Sequence, residues 1–139
     1  MAVIPVNPFV LKDVTLTLDG SDFAAHVSEV FFAPSASTQN WQGMTPSATY
    51  TDTSVATWTA TLAYAQDWSS TNSLSRKLHE DEGASWPCVF KPRAGTTGPT
   101  VTATLIVTPG AIGGTVNGFA TATVTLGVSG KPKFTVPAP

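Results

Sequence analysis

Between Thr100 and Val128 the chain alternates threonine with aliphatic residues. Val101, Ala103, Leu105 and Val107 share one face of the first run, and Thr100, Thr102, Thr104 and Thr108 share the other. In the second run Ala120, Ala122, Val124, Leu126 and Val128 alternate with Thr121, Thr123 and Thr125. A period of two sends successive side chains to opposite faces of a strand, so these segments demand a half-buried sheet and cannot sit as helices. Pro109-Gly110, Gly113-Gly114 and Asn117-Gly118 lie between the runs and supply turn positions. Two matched strands around a Gly-rich connection predict a hairpin.

The same texture recurs upstream. Val14, Leu16 and Leu18 alternate with Thr15 and Thr17 before the turn Asp19-Gly20. Trp58, Ala60, Leu62 and Tyr64 oppose Thr57, Thr59 and Thr61. Phe23–Ala33 carries apolar groups on both faces, which predicts a strand buried on both sides towards Phe31-Phe32. Cys88–Lys91, fenced by Pro87 and Pro92, predicts an edge strand. Arg93–Gly98 reads as a flexible loop.

The period changes once. Leu74 and Leu78 are four apart, Asn72 or Ser73 can cap a helix and Gly83 can end it, so a helix is expected at about 73–82 with both leucines packing inward. Its last turn, Glu80-Asp81-Glu82, opposes the helix dipole. Arg76–Glu80 and Lys77–Asp81 spacings offer partial relief.

Residues 34–54 carry no sustained period and read as one long loop. Trp41, Met44 and Tyr50 lie in it, side chains that a disordered linker rarely carries, so docking onto another subunit is expected. The extremities are apolar and interrupted by proline. Val3, Ile4, Val6, Phe9, Val10 and Leu11 make an N-terminal arm over residues 1–12, and Phe134 and Val136 lie in an extended tail over 130–139. Such arms lie on their own sheet or add to a neighbour's edge. With the loop, they suggest a subunit finished only on assembly.

Composition narrows the function. The 139 residues suit one domain spanning 1–139, and 42% apolar content is enough for a core. Only 12% of residues are charged, with 22 threonines carrying the polarity instead, and the net charge is −2. That excludes a simple electrostatic nucleic-acid binder, which needs clustered Lys and Arg. No apolar run is long enough for a transmembrane helix, so no membrane partner is expected. The N-terminus lacks the basic start and apolar run of a signal peptide, and Cys88 alone makes no disulfide framework, so synthesis and folding in a reducing cytoplasm are expected. The Thr faces read either as ordinary solvated sheet or as a wet, weakly charged wall that a polyanion could pass without sticking.

Catalytic signals are weak. His79-Glu80-Asp81-Glu82 lacks the second histidine of a zinc helix, and His26 lies among apolar strand positions. Gly127-Val128-Ser129-Gly130 lacks the Gly-x-Ser-x-Gly frame, and Gly110, Gly113, Gly114 and Gly118 join strands rather than opening a phosphate-binding helix. Trp41, Trp58, Trp68 and Trp86 could form a sugar platform, but no polar recognition cluster accompanies them. No enzyme activity, cofactor or metal is expected.

The layout resembles the major tail (tube) protein of long-tailed phages of the siphovirus type. The matching parts are the arm Met1–Lys12, a short strand and Asp-Gly turn over Val14–Gly20, the strand Phe23–Ala33 and the polar loop Pro34–Ser54. The strand Val55–Tyr64, the single helix Ser73–Glu82 and the closing Thr/Val hairpin Thr100–Val128 complete it. The resemblance implies a two-sheet β-sandwich or small barrel with one flanking helix. It implies homo-hexameric rings stacked into a tail tube, the conduit for DNA during ejection. It also implies tape-measure, tail terminator and distal tail proteins as partners, assembly in the host cytoplasm and residence in the virion tail. Double-stranded DNA would pass without specific binding. The loop residues Trp41, Met44 and Tyr50 would contact the next ring, and Val3, Ile4, Phe9 and Phe134 would brace a neighbour. Glu29, Asp52 and Asp67 are candidates for a neutral or acidic lumen. Some such relatives carry an added C-terminal immunoglobulin-like domain, and none is expected here. The alternative is an immunoglobulin-like virion decoration or surface-binding module, which the mid-chain helix disfavours.

Overall fold

The computed structural model describes residues 2–93 and 98–136. Residues 94–97 and 137–139, inside the expected flexible loop and C-terminal tail, lie outside the described residues. The elements run β1 (Thr15–Leu18), β2 (Ser21–Asp22), β3 (Val27–Ser35), β4 (Thr38–Gln42), β5 (Thr49–Thr53), β6 (Thr57–Ala65), α1 (Leu74–Glu80), β7 (Ser85–Lys91), β8 (Thr100–Ile106), β9 (Thr121–Val128) and β10 (Lys133–Thr135). Eight strands form one sheet in the order β2-β1-β7-β8-β9-β6-β3, with β10 beside β8, while β4 and β5 form a separate ribbon.

The sheet folds over on itself at β8 and β9, which share only two residue pairs, Leu105–Val128 and Ile106–Gly127. The two halves enclose one core. Leu16, Leu18, Trp86, Cys88 and Leu105 come from one half, and Ala60, Leu62, Tyr64, Val124 and Leu126 from the other. Phe32 of β3 and Phe90 of β7 meet across it with ring centroids 6.1 Å apart. The mainly β, two-layer architecture with one flanking helix is therefore the one expected. Ala122, Val124 and Leu126 of β9 are buried and the intervening threonines exposed, which is the alternation made physical.

The pairing within that architecture differs from the expected hairpin. β9 pairs along β6, from Ala65–Thr121 to Thr59–Gly127, and β8 takes β10 as its partner over Thr100–Thr102. The connection at 107–120 is too long for a tight turn, so the two runs part into different layers. The expected edge strand at Cys88–Lys91 is also corrected. β7 begins at Ser85 and lies inside the sheet, between β1 and β8. It tolerates Pro87 because β1 has its last pair at Leu18–Cys88. The Pro87 carbonyl accepts from the Asp19 amide at 3.0 Å, so the missing N–H falls on the side where β1 has already turned away.

β3 starts at Val27 rather than Phe23, because the Phe23 amide bonds to Leu16 O and the His26 amide to Phe23 O, a turn that delays pairing. Burial on both sides fails here. β3 is the last strand of the sheet, and its outward Phe31 is 47% exposed. The loop expected over 34–54 is a β-ribbon, described below.

Leu74 and Leu78 of α1 are fully buried in the core. Ser73 caps the helix, its hydroxyl accepting from the Arg76 amide at 3.4 Å. Arg76 pairs with Glu80 at 3.3 Å, as the spacing suggests. Lys77 instead reaches Asp19 at 4.0 Å and lies 5.9 Å from the Phe23 ring, because its stem runs along the body and not along the helix.

Candidate functional site

Four uncovered surfaces stand out. The first is the β4–β5 ribbon, whose strand residues are all exposed. Its base is closed by the Ser54 amide on Ser37 O at 2.8 Å and by the Ser37 amide on Ser54 Oγ at 2.9 Å. Along it, Thr51 donates to Asn40 and Thr49 to Gln42, each at 2.8 Å. Trp41 and Tyr50 stand directly opposite one another, ring centroids 5.7 Å apart. Such a cross-strand aromatic pair contributes about 0.5–1.5 kcal/mol beyond its burial. Gln42 braces the tip through Gly43 O and Thr45 O, and Met44 beyond it is fully exposed.

The second surface is the N-terminal arm. Among the described residues it forms no strand, and it divides in two. Phe9 and Leu11 join Phe31, Trp58, Phe90 and Phe134 around an apolar cavity of about 440 Å³, and Arg93 caps the Phe9 ring at 5.6 Å. Val3 and Ile4 touch nothing comparable and are 93% and 88% exposed. Phe134, on β10, meets the inner part of the arm in that cavity, so the two ends of the chain share one patch.

The third was not singled out from sequence as a surface. Residues 108–120 leave Ile112, Val116 and Phe119 exposed. Gln66 holds the segment in place, and the Gln66 amide also bonds to Ala120 O at 2.9 Å. The only sequence signal was three apolar residues set among glycines without a period.

The fourth is the outer face of β3, β6 and β9. Thr125 pairs with Thr61 and Thr123 with Ala63, while Glu29 is the only charged residue on this face. The candidate acids are thus split among three elements: Glu29 on β3, Asp52 on the ribbon and Asp67 in the turn before α1. The Asp67 carboxylate accepts from the Ser69 amide and hydroxyl at 3.0 Å and from the Ser70 amide at 3.2 Å. Hydrogen bonds from Ser70, then from Ser69, hold its pKa down to about 2. Its observed role is to shape the turn that launches the helix.

Among the described residues no three His, Cys, Asp or Glu side chains gather as metal ligands, and no helix is long and apolar enough to cross a membrane. Cys88 is buried, which pushes its thiol up to about 12.

The fold and its surfaces define a class: an antiparallel β-sandwich with one short helix, an added ribbon and several uncovered apolar segments. No protein-family model matches the sequence. No curated protein matches it either. Among solved structures, a chain from the virion of a native gene transfer agent particle is similar in fold. Its TM-score is 0.64 at 17% identity, over 89% of this chain and 96% of that one.

Proposed function

We propose that this chain is a virion structural subunit that polymerises as stacked hexameric rings into a phage tail tube, the conduit for DNA during ejection. The observation that carries the reading is the amount of apolar side chain left uncovered at separate places: Val3 on the arm, Met44 on the ribbon, Phe119 on the 108–120 segment. Each stands with other exposed apolar residues, Ile4 and Val6, Trp41 and Tyr50, and Ile112 and Val116 respectively, and grouped apolar exposure of this kind marks interaction surfaces. The fold likeness to a gene transfer agent virion chain supports the same class of role.

The proposed assembly uses the parts as follows. β3 ends the sheet with one side unpaired, and joining it to a neighbour's strand removes an aggregation-prone edge. The ribbon reaches the next ring, and the free half of the arm braces a neighbour. The Thr face of β3, β6 and β9 lines the channel. With Glu29 as its single charge, it offers no Lys or Arg to displace the counterions of the DNA phosphates, so the polyanion slides without being held.

Negative-stain microscopy of the concentrated protein tests this. Hollow cylinders of uniform width are the expected result. Dispersed monomers at every concentration would overturn it and favour a decoration module.

A further inference from the structure

We infer that residues 110–119 are the seat on which the β4–β5 ribbon of a second copy docks, an inference that rests on the tube reading. Position comes first. The ribbon leaves the sheet where Ser35 of β3 pairs with Thr57, the first residue of β6. The 110–119 segment closes over the other end of β6: Gly110 lies against Tyr64, and Gln66 binds Gly113 and Ala120. The nine residues of β6 put the two roots roughly 30 Å apart. Between copies stacked head to tail in one direction such a contact is heterologous, and where no rotation closes it the contact propagates as an open series.

Chemistry comes second. Residues 108–120 contain no acidic or basic side chain, and residues 38–53 contain a single carboxylate, Asp52, and no basic one. A nucleic acid or a strongly charged protein would gain nothing from so neutral a seat. The ribbon's outer side chains Trp41 and Met44 carry no charge hydration to lose on reaching it.

Area comes third. Trp41, Tyr50 and Phe119 are 62%, 64% and 97% exposed. At roughly 150–250 Å² per aromatic, and with Met44, Ile112 and Val116 added, the two sides offer roughly 900 Å² of contact. That lies below the ~1,200 Å² of stable pairs, so one ribbon and one seat hold weakly. Repetition around a ring converts the weak contact into a firm one through effective concentration. Gln66 pre-orders the seat, so little conformational entropy is lost on docking.

The test uses two single variants, Met44→Cys and Val116→Cys, treated with a short bis-maleimide under assembly conditions. Native Cys88 is buried with its thiol protonated, so it stays silent. The expected result is a crosslinked dimer at least ~10-fold more abundant in the mixture than in either variant alone. A mixture no different from the single variants overturns the seat. A second arm uses the triple variant Ile112→Ser, Val116→Ser, Phe119→Ser. It should keep the wild-type melting curve and form no cylinders. If wild type and triple variant both form cylinders, the seat falls and the tube reading stands. If wild type forms none, the tube reading itself falls.

Discussion

The side-chain amide of Gln66 grips Gly113 by both ends of its backbone polar pair. Gln66 Nε2 donates to Gly113 O at 2.8 Å, and Gln66 Oε1 accepts from Gly113 N at 3.0 Å. The same amide donates to Thr121 O at 2.9 Å and accepts from Trp68 Nε1 at 3.1 Å, so all four of its bonding positions are used. A glutamine here acts as a piece of strand, fastening residues 110–119 to the end of β6.

Gln66→Ala removes all four bonds at once. At about 0.5–1.5 kcal/mol net per bond, discounted because the site is partly wet, the variant should lose about 1–2 kcal/mol of stability. Urea denaturation measures that loss. Hydrogen exchange should rise within 112–119 and stay low in β6 and β9. Uniform exchange across all three would show that the clamp does not act locally.

Gly110 is a steric requirement. A Cβ built there would sit 1.8 Å from the Tyr64 hydroxyl oxygen. Tyr64 is buried and cannot swing away. Gly110→Ala should therefore destabilise by about 1–3 kcal/mol through overpacking. Tyr64→Phe removes the clashing oxygen, leaving the nearest ring carbon at 3.0 Å, which a small shift relieves. The double variant should recover most of the loss, with a coupling of about 1 kcal/mol or more in a double-mutant cycle. Additive effects would place the strain elsewhere.

Asp67 predicts an acid-dependent effect whose sign follows from its pKa. The carboxyl titrates at about 2 when folded, against about 3.9 in an unfolded chain. The folded value is depressed, so the stability it contributes is complete above about pH 4 and is lost as pH falls through about 2. Asp67→Ala should be less stable than wild type at pH 7, and the gap should close between pH 4 and pH 2. Denaturation midpoints at pH 7, 4 and 2.5 for both proteins check this. A gap independent of pH would mean that the turn does not depend on the charge.

Much of the fold is legible because the core half of each strand is written in aliphatic residues against threonine. β1, β6, β8 and β9 all lie where that alternation puts them, and Ser73 caps the helix, which stops at Asp81 rather than running to Gly83, whose amide bonds to Val107 O instead. Partner choice is not written there. β8 and β9 have the same pattern, yet β9 pairs along β6 and shares only two residue pairs with β8. The ribbon escaped for a related reason. Thr38–Gln42 and Thr49–Thr53 are polar on both faces, since neither touches the core, so no period of two in hydrophobicity exists to be read. What marks them is pairwise: Trp41 and Tyr50 stand at matched distances from the Gly43–Ala48 turn, where the Gly43 amide bonds to Ala48 O. The surfaces divide similarly. An apolar arm announces itself as a run, whereas Ile112, Val116 and Phe119 carry no period and lie exposed on the segment that Gln66 fastens at Gly113.

The ribbon's independence from the core makes it separable from folding. It contributes no buried side chain, and its ends are already joined by the Ser37–Ser54 bonds. Replacing residues 38–53 with a two-residue Asn-Gly turn should therefore leave the melting temperature within a few degrees of wild type. Closing a shorter loop would offset part of any lost cross-strand contact. Assembly should respond oppositely. On the proposed tube reading, the variant without Trp41, Met44 and Tyr50 has nothing to project towards another ring, so analytical ultracentrifugation should find species no larger than a single ring at concentrations where wild type is expected to form cylinders. Cylinders of normal length from the deleted protein would mean that ring stacking runs through the arms, with Val3, Ile4 and the Phe9–Phe134 patch as the surfaces to examine.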